Sequence, residues 1–199
     1  MWKRSSKSIC VVLILTVLLI GGCANAPGKL TGQEPVSVTP ALREHYHQAI
    51  EAMKAGQWKS AIAGLEAITR ENDRLSGPYL NLGIAYAHTG DRVKAIAALQ
   101  ASIERNSYNP IAYNQLGILY RQNGQFDQAG KMYENALQVD PACADAQWNL
   151  GVLHDLYLQQ PAEAQRHYER YRQLADSNER QLPQEVAEKQ QLTAGARQP

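Results

Sequence analysis

The sequence contains one phenylalanine and three cysteines in 199 residues. A single Phe excludes a core built on large aromatics, and three Cys are too few for a dense disulfide framework. Neither sign of charge dominates. Twenty Lys and Arg stand against 19 Asp and Glu, a formal +1, which excludes a strongly basic nucleic-acid binder and an acidic disordered tail. No basic stripe is interleaved with aromatics, so nucleic acid is not an expected partner. There is no Gly-rich phosphate loop and no Cys-x-x-Cys. His45 and His47 are two apart, so they point to different sides of a helix and cannot easily share a metal. Acidic pairs such as Glu185 and Glu188 read as solvated helix faces. No catalytic residues and no metal site are expected. What the chain has in surplus is tyrosine, 10 against 3 Trp and 1 Phe, which predicts half-buried rings with wet hydroxyls.

Residues 1–7 carry Lys3, Arg4 and Lys7 and no acidic group. Ile9 to Ile20 is a twelve-residue apolar run broken only by Cys10 and Thr16, short of the roughly 20 residues a membrane-spanning helix needs. Gly21, Gly22 and Cys23 follow. A basic start, a short apolar stretch and small residues predict an export signal over 1–22. Ile20-Gly21-Gly22-Cys23 resembles the bacterial lipobox, in which the Cys is acylated and becomes the first residue. The resemblance implies diacylglycerol on the Cys23 thiol and an acyl chain on its amine, and no other cofactor is expected. Such an anchor is effectively permanent, because each buried CH₂ adds about 0.8 kcal/mol. Ala24, where Asp would retain the protein at the inner membrane, implies the outer membrane, facing the periplasm.

On the processed chain, 23–199, the balance is 17 basic to 19 acidic, a net −2, and Cys143 is the only unmodified thiol. Two readings of Cys143 stand: pairing with a partner's thiol, and a small half-buried residue between helices. From Cys23 to Pro40 the chain has three Pro and two Gly and little apolar periodicity, the composition of a flexible linker. Such a coil spans about 23 Å on average and about 55 Å if pulled straight.

A period of 34 runs through the rest. It relates Gly56, Gly90 and Gly124; Ala61, Ala95 and Ala129; and Gly83, Gly117 and Gly151, each preceded by Leu. Tyr79 matches Tyr113, Tyr86 matches Tyr120, and Leu65, Leu99 and Tyr133 match as bulky apolar positions. The units are 42–75, 76–109, 110–143 and 144–178, within a domain spanning 41–178. The pattern resembles the tetratricopeptide repeat (TPR) family, most completely in the third unit: Tyr113, Leu116, Gly117, Tyr120, Gly124, Ala129, Tyr133, Ala136 and Pro141. The resemblance implies an all-α, right-handed superhelical solenoid of about four helix-turn-helix repeats. The end units depart from the pattern, as solenoid ends do. The first has Ala49 in place of the Gly, and the fourth has one extra residue, expected in its turn between Tyr157 and Pro161.

The chemistry behind the pattern is packing. Small residues at Gly83, Ala95, Gly117 and Ala129 let paired helices approach, while Leu, Tyr and Ile fill the grooves around them. Gly90 and Gly124 end helices where positive φ is wanted. Asp91 and Asp127 fall near helix starts, where a carboxylate meets the dipole favourably. Pro110, Pro141 and Pro161 mark helix boundaries. Helices are therefore expected over about 41–54 with 58–71, 77–89 with 92–105, 111–123 with 126–138, and 145–157 with 162–174. His154 and His167 fall in the last pair, where His154 takes the place of Tyr86 and Tyr120 and a packing role is expected. Residues 179–199 read as a polar capping helix, around Leu182 and Val186, and a disordered tail.

In the TPR family the first helix of each pair lines a concave groove. That resemblance implies a partner-binding site here. Asn81, Gln115 and Asn149 form an amide ladder, and an amide can pair with the backbone of an extended peptide. Ile84, Ile118 and Val152 form an apolar ladder beside it. Leu80, Asn114 and Trp148 form a third row, with His88 and Gln122 at the rim. The competing readings are that the amides hold helices together and that the aliphatic row is buried between repeats. Some relatives carry a Lys/Arg/Asn clamp for a C-terminal carboxylate. The matching places here hold Tyr46, Ile50, Asn81, Ile111 and Gln115, then Leu80, Ile84, Gln115, Asp145 and Asn149. Only the amides match, so no carboxylate clamp is expected.

The expected partner is a periplasmic or outer-membrane protein presenting an apolar, near-neutral segment or helix face. Small TPR lipoproteins of this kind include pilotins of type IV pilus secretins, adaptors of murein hydrolases and envelope proteases, and companions of Ton-type energy-transducing complexes. The alternative is a self-associating envelope protein without a separate client. Substituting Cys23→Ser should leave the protein either soluble in the periplasm or unprocessed. Fractionation and intact mass check this, and normal outer-membrane recovery would contradict lipidation.

Overall fold

Local chemistry sets the start of several helices and the reversals between them. Pro40 opens α1 (Pro40–Lys54) at its first turn, and the Thr39 hydroxyl caps it by accepting from the Leu42 amide at 3.1 Å. Pro lacks the N–H that a helix leaves unsatisfied there. The remaining helices are α2 (Trp58–Glu71), α3 (Ser76–His88), α4 (Arg92–Arg105), α5 (Pro110–Gln122), α6 (Phe126–Val139), α7 (Ala144–Val152), which continues into a π-helical turn at Leu153–Tyr157, and α8 (Pro161–Ser177). Asp91 caps α4 through the Lys94 amide, and Asn109 caps α5 through Ile111 and Ala112. Gly56, Gly90 and Gly124 all have positive φ, at 69°, 81° and 74°, so the chain reverses there at little steric cost.

The computed structural model describes residues 37–177. The chain divides into two units, Met1–Pro35 and Val36–Pro199. The first unit lies outside the described residues, and with it fall the export signal, Cys23 and most of the linker. The capping helix and tail expected over 179–199 lie outside them too. Among the described residues no helix is long and apolar enough to cross a membrane.

Among the described residues the second unit is all-α. Its helices pair as α1 with α2, α3 with α4, α5 with α6 and α7 with α8. Successive pairs stack through α2 on α3, α4 on α5 and α6 on α7. First helices also touch their counterparts, α1 to α3, α3 to α5 and α5 to α7, so they share one side of the stack. A continuous core runs through the pairs on Leu65, Leu82, Leu99, Leu116, Tyr133 and Leu150. A smaller one joins α7 and α8 through Ala144, Tyr171, Leu174 and Ala175.

In the second, third and fourth pairs the glycine of the first helix receives the bulk of the second. A Cβ added at Gly83 would lie 2.5 Å from Leu99, and one at Gly117 would lie 2.5 Å from the Tyr133 ring. Tyr168 stands against Gly151 in the same way. Ala61, Ala95, Ala129 and Ala164 are buried beside these contacts. Tyr133 has no exposed surface, and burial pushes its hydroxyl above the usual tyrosine range even though Arg121 donates to it at 3.3 Å. The wet half-buried rings expected from composition hold for Tyr79 and Tyr113 but not here, nor for buried Tyr86 and Tyr120. The Tyr86 hydroxyl donates to Glu66 at 2.5 Å, and burial together with that carboxylate pushes its pKa up to about 12. One period later Tyr120 accepts from Gln100 at 3.2 Å.

The extra residue of the fourth unit sits elsewhere than expected. The turn does not absorb it. The first helix does, as the π-helical turn Leu153–Tyr157, the form a one-residue insertion takes inside a helix. In the earlier pairs the chain closes with Asp91 N–H to Tyr86 and Gln125 N–H to Tyr120. Here the matching bond runs from Gln160 N–H to His154, one residue longer. Gln159, at φ 55°, takes the left-handed place of the glycines. His154 does pack, with its ring stacked on His167 at 5.4 Å between centroids and 8° between planes. Gln160 and Gln147 hold the two Nδ1 atoms, each at 2.8 Å. Burial, then the neighbouring His154, holds His167 below the usual histidine range. Cys143, half-buried just before α7, has its thiol pushed up by burial.

Glycine contacts of opposite kind test the packing. Gly117→Ala should destabilise by about 1–3 kcal/mol, because the methyl group collides with a locked ring. Gly130→Ala in α6 meets Leu153 only at 3.5 Å and should stabilise by up to about 1 kcal/mol through helix propensity. Thermal melts of the two variants check the signs; equal shifts would contradict the packing.

Candidate functional site: the first-helix face

The first helices carry every residue expected to line a groove, and the structure separates them into engaged and available groups. Asn114 and Asn149 are buried, at 4% and 7% exposure. The Asn149 Nδ2 donates to the Asn114 Oδ1 at 3.0 Å. Of the two readings of the amides, this pair takes the one in which they hold helices together, with little surface left for a peptide. They bind α5 to α7. A buried amide without a partner costs about 1–3 kcal/mol, and pairing the two removes that cost. Asn81 is half-buried, and its Nδ2 donates to the Tyr46 hydroxyl at 2.6 Å, joining α1 to α3. That bond outweighs only part of the burial effect on Tyr46, whose pKa stays raised.

Both bonds join positions 35 apart. Applied between them, the same interval sets Gln115 of α5 against Leu80 of α3. Leu80 has neither donor nor acceptor. Gln115 is half-buried and its side chain makes no hydrogen bond to any described residue. It is thus the one rung of the amide ladder left open. Leu80, Ile84, Ile118 and Val152 are half-buried too, and Ile111, one turn before Gln115, is 53% exposed. Trp148 is occupied, with its ring 5.1 Å from Tyr168 and 5.6 Å from Tyr171. His88, expected at the rim, stacks on Trp58 at 4.0 Å, linking the first two units. On the first-helix face Leu80, Ile84, Ile111, Gln115 and Ile118 thus make an apolar, uncharged stretch with one unbonded amide, Leu80 and Ile118 also packing against the core. The 34-residue alignment pointed to the amides. The 35-residue pairing consumes two of the three, a contact between units that the alignment does not show.

Among the described residues no three His, Cys, Asp or Glu side chains gather as metal ligands. Cys23 lies outside the described residues.

Comparison with known proteins agrees with this architecture. Two sequence profiles, both described as tetratricopeptide repeat, match residues 46–110 and 108–177. The chain belongs to the tetratricopeptide repeat family. No curated protein matches in sequence. Solved structures do match in fold. MamA superposes with a TM-score of 0.64 at 23% identity, over 69% of this chain and 80% of its own. YrrB, described as a TPR protein with an unusual peptide-binding site, gives 0.58 at 22%, over 67% and 69%. PilF of Pseudomonas aeruginosa gives 0.63 at 17%, over 67% of this chain and 61% of its own. At these identities the likeness is one of fold.

The two classes of amide should respond differently to truncation. Asn149→Ala strands the buried Asn114 and should cost about 1–3 kcal/mol. Gln115→Ala should stay within about 0.5 kcal/mol of native stability. Urea unfolding of each variant is the measurement.

Proposed function

We propose that this protein is a non-catalytic scaffold, anchored in the bacterial outer membrane by lipid on Cys23, whose first-helix groove docks a segment of a periplasmic or outer-membrane protein. A protein-interaction role follows from TPR membership. The observation that carries the finer reading is Gln115: an open amide between Leu80, Ile84, Ile111 and Ile118. An apolar, uncharged floor selects against a charged terminus, because desolvating a charge without a partner is costly. One amide can hold the backbone of an extended or helical segment through donor and acceptor together. That the neighbour YrrB is described as having a peptide-binding site supports a peptide ligand on such a stack. The lipobox-like Ile20-Gly21-Gly22-Cys23 supports the anchor, and Ala24 the outer membrane. Service to an energy-transducing, hydrolase-adaptor or secretin system fits equally.

Crosslinked pull-down from membranes tests the groove. Ile84→Glu with Gln115→Ala should reduce recovery of a reproducible partner at least tenfold, while Glu104→Gln, on α4, leaves it unchanged. Equal recovery with a folded groove variant would sink the proposal.

A further inference from the structure

A second concave place lies at the boundary between the second and third units. It is a pocket of about 330 Å³ lined by Ser107, Tyr108, Tyr113, Asn135, Gln138 and Val139. Tyr113 and Gln115 are two residues apart on α5, about 200° around the helix, so the pocket and the groove are separate surfaces.

The repeat shows what such a place can hold. Each lining residue is the 34-residue image of one in the preceding unit: Asp73, Arg74, Tyr79, Ala101, Glu104 and Arg105. There the space is filled. The Arg105 guanidinium lies 4.0 Å from the centre of the Tyr79 ring. Its Nε donates to the Asp73 carbonyl, Nη1 donates to the Ala101 carbonyl at 2.8 Å, and Nη2 to the Tyr79 hydroxyl at 3.3 Å. Only 24% of that side chain is exposed. In the next unit Val139 stands where Arg105 does. The ring, Tyr113, and the two carbonyl positions, Ser107 and Asn135, remain, and the guanidinium is gone.

Two further features favour a cation there. Helix α4 ends on Arg105, whereas α6 has no basic residue in its last turn, so the negative end of its dipole lacks a positive side chain. The residue after Val139 is Asp140, where the earlier unit has neutral Asn106. The side chains of Ser107, Tyr108, Tyr113, Asn135 and Gln138 make no hydrogen bond to any described residue, and Tyr108 is 82% exposed.

We propose that this pocket receives an arginine side chain of a partner protein, seated over Tyr113 as Arg105 is seated over Tyr79. The guanidinium stacks on the ring, donates to the carbonyls of Ser107 and Asn135, and offers its fork to the Asn135 and Gln138 amide oxygens. Arginine is favoured over lysine because a planar fork satisfies ring and carbonyls together, while an ammonium is a strongly hydrated point charge.

The test is titration of the full-length protein with Nα-acetyl-arginine amide, following the tyrosine ring resonances by NMR, with Tyr113→Phe used for assignment. The expected result is a saturable shift at Tyr113, at least tenfold weaker for the neutral citrulline analogue and weaker for the lysine analogue. Val139→Arg, which rebuilds the earlier unit's arrangement, should abolish the shift and keep or raise the melting temperature. No saturable shift at Tyr113 overturns the proposal. So does a citrulline or lysine analogue that binds as tightly, or a folded Val139→Arg variant that binds as the native protein does. The native titration decides alone if that variant does not fold.

Discussion

The second, third and fourth units rest on a helix backbone left bare at one point in each, so that a large side chain can lie directly on it. Leu99 on Gly83, Tyr133 on Gly117 and Tyr168 on Gly151 set how closely the two helices of a pair approach. Because the interiors of proteins are packed like crystals, that distance propagates. With the pair fixed, the second helix presents Glu66 or Gln100 to the tyrosine of the next first helix, and the next pair is placed in turn. The first unit dispenses with the glycine, since Ala49 packs there with only 4% exposure.

A second set of links runs along the first helices alone. Tyr46 to Asn81 and Asn114 to Asn149 are polar bonds in positions that a partner-binding reading would claim for ligands. Buried polar groups must be satisfied, and here the protein satisfies them internally. The interval between these two bonds is where Leu80 breaks the series. A structural bond at Asn81 and Asn149 and an unbonded amide at Gln115 therefore occupy equivalent positions of the repeat, separated only by whether the residue 35 places earlier can accept a hydrogen bond.

The helices were legible because period, glycine placement and proline placement all point to the same boundaries. The rows of the first-helix face follow from the 34-residue spacing. Side-chain engagement was not legible. Whether Asn149 meets solvent or Asn114 depends on a contact between units, which a pattern of residue types does not specify. The insertion in the fourth unit was visible as a count, but its location was not, because a π-turn and a longer loop cost one residue alike. The Tyr113 pocket was hidden for a different reason. It arises from Val139, an ordinary residue at a helix end, and becomes visible only beside the side chain that fills the same place one unit earlier.

The π-turn at Leu153–Tyr157 has a consequence for direction. The first helices of the second and third units repeat one pattern at an interval of 34 residues. Past Leu153 the copy is out of phase, because one added residue rotates the rest of the helix by about 100°. Gln159 then closes the turn where glycine closed the others. The stack consequently has a head and a tail that differ in surface as well as in chain order. That single irregular turn sets the fourth unit apart from the three before it.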